Sequence, residues 1–173
     1  SSKSFYQVNS AQTELLYNKA LQLAGLTGKE KALDAYCGIG TIGLIASRKA
    51  GEVIGVELNP DAVRDAVQNA KMNDVKNIQF YCNAAGRFIV NMAEKGEKVD
   101  VILMDPPRSG STKEFIDAVA KMGPERVVYV SCGPETLVRD LRWFMGNGYR
   151  AVEAWPVDMF GGAGPVETVV LLS

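Results

Sequence analysis

The sequence predicts a doubly wound α/β fold built on a seven-stranded, mostly parallel sheet whose last strand runs antiparallel. Three observations carry that expectation. Short apolar runs alternate with helical patterns almost to the end of the chain. A glycine cluster directly follows the first apolar run. The last two strand-like runs have no helical pattern between them, and a parallel pair would need a longer crossover.

The elements follow in order. Ser10 to Gly25 reads as an amphipathic helix with Ser10 as N-cap and Gly25 as its stop. Strands are expected at Ala32–Tyr36, Glu52–Val56, Asn77–Tyr81, Val99–Met104, Arg126–Ser131, Tyr149–Trp155 and Val166–Leu172. Helical patterns fill the gaps at about 41–49, 60–73, 85–94, 112–122 and 135–146. No repeat, low-complexity tract or interdomain linker interrupts them, so residues 1–173 read as one domain, with 1–28 as a helical lead-in.

Composition narrows the chemistry. The 173 residues are 47% hydrophobic and 23% charged, with a net charge of -1, an ordinary balance for a globular domain. No apolar run approaches the roughly 18 residues of a membrane span, and none reads as a signal peptide. The chain does not open on Met, which suggests an excised or processed piece. Three scattered cysteines form neither a disulfide framework nor a metal pattern, which points to no metal and a reducing cytoplasm. There is no histidine. A serine–histidine triad is therefore excluded, and any general base must be a carboxylate, lysine, tyrosine or thiolate.

The first strand runs into Asp34-Ala-Tyr36-Cys-Gly38-Ile-Gly40-Thr41-Ile-Gly43, which fits G-x-G-x-x-G. The second ends at Glu57, where an acid can take ribose hydroxyls. These features alone indicate an adenosine-containing cofactor. Asp34 is expected to face the charged centre of a sulfonium cofactor, where a pyrophosphate would be repelled. Polar residues at later strand ends, Asn83 and Asp105, extend the row. Such a row suits S-adenosylmethionine, with ribose at Glu57 and adenine near Asn83.

Cys132 sits in Val130-Ser131-Cys132-Gly133-Pro134, where a strand-like run gives way to a helical one. A cysteine exposed there, near a helix N-terminus, is expected to have a lowered thiol pKa. The bland alternative is a buried small hydrophobe, the reading that suits Cys37 and Cys82. Trp143-Phe144 reads as core.

Five segments carry a resemblance. They are Phe5-Tyr-Gln7-Val-Asn-Ser-Ala-Gln12, Asp34 to Thr41, Asp105-Pro-Pro-Arg108-Ser-Gly110, Ser131-Cys132-Gly-Pro-Glu-Thr136 and Val166-Glu167-Thr168. In this order the chain resembles the catalytic domain of the RNA uracil-5-methyltransferases, and more closely those of 23S ribosomal RNA than the transfer RNA enzyme. The resemblance implies the Rossmann-like fold of class I S-adenosylmethionine-dependent methyltransferases. Gln7, Tyr36, Thr41, Glu57, Asn83 and Asp105 would contact S-adenosylmethionine, with S-adenosylhomocysteine as product. Cys132 would be the nucleophile and Glu167 the general base. Arg108 and Arg139 are candidates to hold phosphate or a uracil carbonyl, or to be paired with Asp140 or Glu135. The partner would be RNA, the enzyme cytoplasmic and a monomer.

The chain departs from the family in two ways. The N-terminal RNA-binding and central domains of the family do not appear, which fits the near-zero charge. The stretch before Val166 reads Phe160-Gly-Gly-Ala-Gly-Pro165 where the family usually carries a histidine. Such a loop would hold Glu167 loosely, making cofactor binding a firmer expectation than turnover. Other classes compete: an amino-methyltransferase using Asp-Pro-Pro, a nicotinamide dehydrogenase, or a catalytically silent binding domain.

Overall fold

The structure is a computed structural model and describes residues 10–158 and 166–173. In chain order the elements are α1 (Ser10–Ala24), β1 (Lys31–Ala35), α2 (Thr41–Ser47), β2 (Glu52–Glu57), α3 (Pro60–Met72), β3 (Ile78–Cys82), α4 (Ala85–Glu94), β4 (Val101–Met104), α5 (Lys113–Met122), β5 (Arg126–Ser131), α6 (Pro134–Gly146), β6 (Ala151–Asp158) and β7 (Val166–Leu172). The seven strands form one sheet in the order β3-β2-β1-β4-β5-β7-β6. β1 to β5 pair in parallel, and β7 lies antiparallel between β5 and β6. The expected architecture, including the antiparallel last strand, is the one observed.

The central strands are apolar on both faces because helices cover both. Ala32, Val53, Val101, Leu103 and Val128 pack with Leu16 and Ala20 of α1, Ile42 and Ala46 of α2 and Ala70 of α3. Leu33, Ile54, Ile102, Met104 and Tyr129 pack on the other side with Ile89 of α4, Phe115 and Ile116 of α5 and Phe144 of α6. Burying one such side chain contributes roughly 1.5–3 kcal/mol, so the sheet and its helices form a single cooperative unit.

The helix ends follow their sequences. Asn59 accepts from the Asp61 and Ala62 N–H groups, Pro60 opens α3, and Thr112 accepts from the Phe115 N–H. α1 stops at Gly25, which takes φ +61°. Several boundaries shift from expectation, and three shifts in β4 and β6 stand out. β4 begins at Val101, after Asp100, whose carboxylate accepts from the Lys31 N–H at 2.8 Å while its own N–H donates to the Lys31 carbonyl. Tyr149 lies outside β6 and donates its hydroxyl to the Pro124 carbonyl. β6 continues through Pro156 to Asp158, which an edge strand tolerates because the missing N–H faces no neighbour. Among the described residues no helix is long and apolar enough to cross a membrane.

Parallel pairing brings the carboxyl ends of β1 to β5 to one rim. The strand order reverses between β1 and β4, so a crevice opens between their following loops.

Candidate active site

Two cavities meet at that crevice. The larger, about 640 Å³, is lined by Tyr36, Glu57, Leu58, Asn83, Arg87, Asp105, Pro107 and Glu114, among others. The smaller, about 180 Å³, is lined by Thr13, Tyr17, Tyr36, Cys37, Gly38, Thr41 and Asp105. Tyr36 and Asp105 belong to both. They follow β1 and β4, the two strands at the reversal.

The glycine loop is shaped by steric necessity. Gly38 and Gly40 adopt left-handed φ values of +55° and +87°, and a Cβ on Gly40 would lie 2.8 Å from the Phe80 ring. Gly40 itself lines neither cavity; it lets the loop pack on β3. Tyr36 takes φ +61° although it carries a side chain. Such a conformation costs on the order of 1–3 kcal/mol and persists where surrounding contacts impose it. Its hydroxyl lies 2.8 Å from Ser111 Oγ, its ring is 5.6 Å from that of Phe115, and the next N–H, that of Cys37, donates to the Val56 carbonyl.

Glu57 spans the rim. Its Oε1 accepts from the Gly38 N–H at 3.1 Å and its Oε2 from the Asn59 N–H at 2.8 Å. Asn83 stands beside it, its N–H donating to the Glu57 carbonyl and its Oδ1 accepting from the Ala84 N–H. Asp105 is held above its ordinary value, to about 7, first by burial and then by the Glu167 carboxylate.

Two expectations are corrected. Asp34 does not face either cavity. Its carboxylate is fully buried on the α1–α3 side of β1, where a Cβ on Gly43 would sit 2.6 Å from Asp34 Oδ2. Neither oxygen has a hydrogen-bond partner. Burial, and then the Asp105 carboxylate, push its pKa well up, offset in part by the nearby Gly43 backbone N–H. The Cys132 thiol is not lowered either. Burial, then Glu167, then Asp105 raise it, and the Arg108 guanidinium only partly opposes them. The thiol is half-buried rather than exposed, and two carboxylates outweigh one cation there.

Cys132 shares a depression of about 320 Å³ with Arg108, Gly133, Pro134, Glu135 and Thr136. The β5–β7 register pairs Ser131 with Thr168, so Glu167 falls beside Cys132. Burial raises the Glu167 carboxyl and Arg108 opposes it. The fold thus gathers Cys132, Glu167, Asp105 and Arg108 within one another's fields.

Arg139 is not free for a substrate. Its guanidinium donates to Asp140 and to the Ser109 and Ser111 carbonyls at 2.9–3.1 Å, and it lies 4.8 Å over the Trp143 ring. Phe144 is core, as expected. Cys37 is buried, whereas Cys82 is exposed. Gln7 and the Gly161–Pro165 loop lie outside the described residues. No group of metal-ligating side chains occurs among the described residues.

Sequence reasoning missed Thr13 and Tyr17 of α1, which wall the smaller cavity. Their spacing of four on one helix face, directly after the Phe5–Gln12 segment, was the available signal. It also missed Arg87 and Glu114 in the larger cavity, for which no local pattern stands out.

Known proteins resemble this chain in sequence and fold. The family described as tRNA (Uracil-5-)-methyltransferase matches residues 1–173. An uncharacterized RNA methyltransferase of Caldanaerobacter subterraneus subsp. tengcongensis is 52% identical over 98% of this chain and 37% of its own length. One from Clostridium tetani is 49% identical over the same shares. The chain therefore spans 37% of the length of these relatives. Among solved structures, the tRNA (uracil-54, C5)-methyltransferase of Pyrococcus abyssi, in complex with S-adenosyl-L-homocysteine, superposes with a TM-score of 0.83 at 31% identity, covering 96% of this chain and 39% of that one. A precorrin-6y C5,15-methyltransferase from Geobacter metallireducens shares the fold with a TM-score of 0.75 at 16% identity, covering 91% of this chain and 86% of that one. The family model matches the whole chain, and the chain belongs to the tRNA (uracil-5-)-methyltransferase family.

Proposed function

We propose that this chain binds S-adenosylmethionine and methylates carbon 5 of a uridine in RNA, through a covalent bond between Cys132 and the base. One observation carries the reading. Asp105 lines both cavities and also acts electrostatically on Cys132, which makes one carboxylate common to a cofactor site and a nucleophile.

The residues present suit the cofactor. Glu57 and Asn83 offer polar groups to an adenosine in the larger cavity, and Gly38 lets backbone approach closely. Asp105 at the junction would favour a cation; with one bound, its raised carboxyl would ionise more readily. When bound, the cofactor supplies a methyl group on a positively charged sulfur.

The chain's own residues do the rest. The Cys132 thiol gives its proton to solvent, and the thiolate adds to carbon 6 of uracil, pushing the ring's electrons toward carbon 5 and making that carbon nucleophilic. Once carbon 5 is methylated it still carries its proton. Glu167 takes that proton, the double bond re-forms and the thiolate leaves. The raised pKa of Glu167 suits this work, because a carboxylate with a higher pKa is a stronger base. The target base must leave its stack to reach Cys132, and Arg108, at the mouth of that depression, would meet its phosphate or a carbonyl.

The test is mass spectrometry of the chain mixed with 5-fluorouridine RNA and S-adenosylmethionine. Fluorine cannot leave as a proton, so an adduct should accumulate on Cys132 and vanish in Cys132→Ala. An adduct of equal yield in that variant sinks the covalent mechanism. We take 23S ribosomal RNA as the substrate class. Transfer RNA is the second reading, favoured by the Pyrococcus abyssi likeness, and labelled-methyl transfer to the two RNAs in parallel separates them. Calorimetry with NAD against S-adenosylhomocysteine tests the dehydrogenase alternative.

A further inference from the structure

On the cofactor reading above, we infer that Asp140 and Ser111 are positioning residues, forming a buried strut that locks the cofactor cavity to the cysteine loop. Neither lines the two cavities at the crevice or the Cys132 depression. Asp140 is fully buried on α6, and Ser111 is 5% exposed in the loop after β4.

The contacts run in one unbroken path. Tyr36, which walls both cavities, meets Ser111 Oγ through its hydroxyl at 2.8 Å. The Ser111 N–H donates to Asp140 Oδ2 at 2.7 Å, and the Tyr129 hydroxyl donates to the same oxygen at 2.5 Å. Arg139 donates to Asp140 Oδ1 and also to the carbonyls of Ser109 and Ser111. The loop from Asp105 to Thr112 is thereby held to α6 through its backbone and to Tyr36 through the Ser111 side chain.

The same helix begins at Pro134, just past Cys132 and Gly133. There the Thr136 hydroxyl donates to the Arg108 carbonyl at 2.9 Å. The fit is close on both sides. A Cβ on Gly133 would lie 2.9 Å from the Arg108 carbonyl oxygen, and one on Gly110 would lie 2.5 Å from Arg139 Nη2. Glycine at these two positions lets loop and helix touch. The strut therefore fixes three things together: the strained Tyr36, the loop that presents Asp105, and the turn that presents Cys132.

Tyr36→Phe and Ser111→Ala each delete one end of a single bond. Both leave the Ser111 N–H on Asp140. Calorimetry with S-adenosylhomocysteine should show affinity falling about five- to tenfold in each single variant and no further in the double variant. Asp140→Asn keeps the shape and removes the charge. At saturating cofactor it should slow adduct formation with 5-fluorouridine RNA about tenfold, in addition to weakening cofactor binding, with a native circular dichroism spectrum. Single variants within twofold of wild type, or a double variant whose loss is the product of the singles, overturn the strut. An Asp140→Asn protein that loses affinity alone overturns its link to the cysteine. If that variant does not fold, the Tyr36–Ser111 cycle still decides. A wild-type chain that fails to bind S-adenosylhomocysteine overturns the cofactor reading, and the strut with it.

Discussion

Two carboxylates in this molecule have no solvent exposure at all, Asp34 on β1 and Asp140 on α6. Asp140 accepts hydrogen bonds from the Ser111 N–H, the Tyr129 hydroxyl and two nitrogens of Arg139. Asp34 accepts none at hydrogen-bond geometry, and its carboxyl is held well above the ordinary range. A buried charge is tolerated only with partners; without them the group takes up its proton. Asp140 therefore works as an anchor for loops. Asp34 works as a space-filling group, its pKa raised by burial, whose oxygen occupies the room that Gly43 leaves. Residue type alone would have given them the same role.

The largest effect that would break this contrast is expected at Asp140. Asp140→Ala leaves the Tyr129 hydroxyl and the Ser111 N–H buried without an acceptor. At about 1–3 kcal/mol for each orphaned group, urea unfolding should report a loss of roughly 3–5 kcal/mol. A loss below about 1 kcal/mol would mean that the network is easily replaced by water.

An intermediate effect is expected on the other side of the sheet. Gly43→Ala sets a methyl 2.6 Å from Asp34 Oδ2 and should cost about 1–3 kcal/mol. In an Asp34→Ala background the clash is gone. There the same change should approach the gain of about 1 kcal/mol for replacing a helical glycine. Equal penalties in both backgrounds would show that Asp34 is not what Gly43 accommodates.

The smallest effect is a pH slope. Asp34 and Asp105 both have folded pKa values above their unfolded ones, Asp105 at about 7. The stability that each contributes is full below the unfolded value of about 3.9 and is lost as pH rises through the folded value. Stability from Asp105 should thus decline between about pH 4 and pH 7, and that from Asp34 should fall as pH rises above about 4. Asp34→Asn, which cannot ionise, should flatten that decline. Asp105→Asn should remove the part that runs between about pH 4 and pH 7. A slope unchanged in both variants would place the pH dependence elsewhere.

Much of the architecture was legible because it rests on local pattern. Val101–Met104 and Arg126–Ser131 are apolar runs too short for helices. Gly38 and Gly40 mark a loop that needs left-handed backbone, and Glu57 ends β2 at the same rim. Asp34 misled because it sits one residue inside the strand end, and alternation turns it into the helix layer instead of the crevice. Cys132 misled because its surroundings come from other strands: Glu167 arrives by antiparallel pairing and Asp105 from β4. Arg139-Asp140 reads as a solvated pair on an amphipathic helix, yet Asp140 contacts Ser111, 29 positions away.

The sequence by itself determined the sheet, the order of its elements, the glycine loop and the family, because periodicity and turn chemistry act over a few residues and are written there. The tertiary structure alone decided which carboxylates are anchored, which have a pKa raised by burial and which reach Cys132. Those properties depend on burial and on the partners that distant segments bring, and a pKa is set by that environment rather than by the residue's neighbours in the chain.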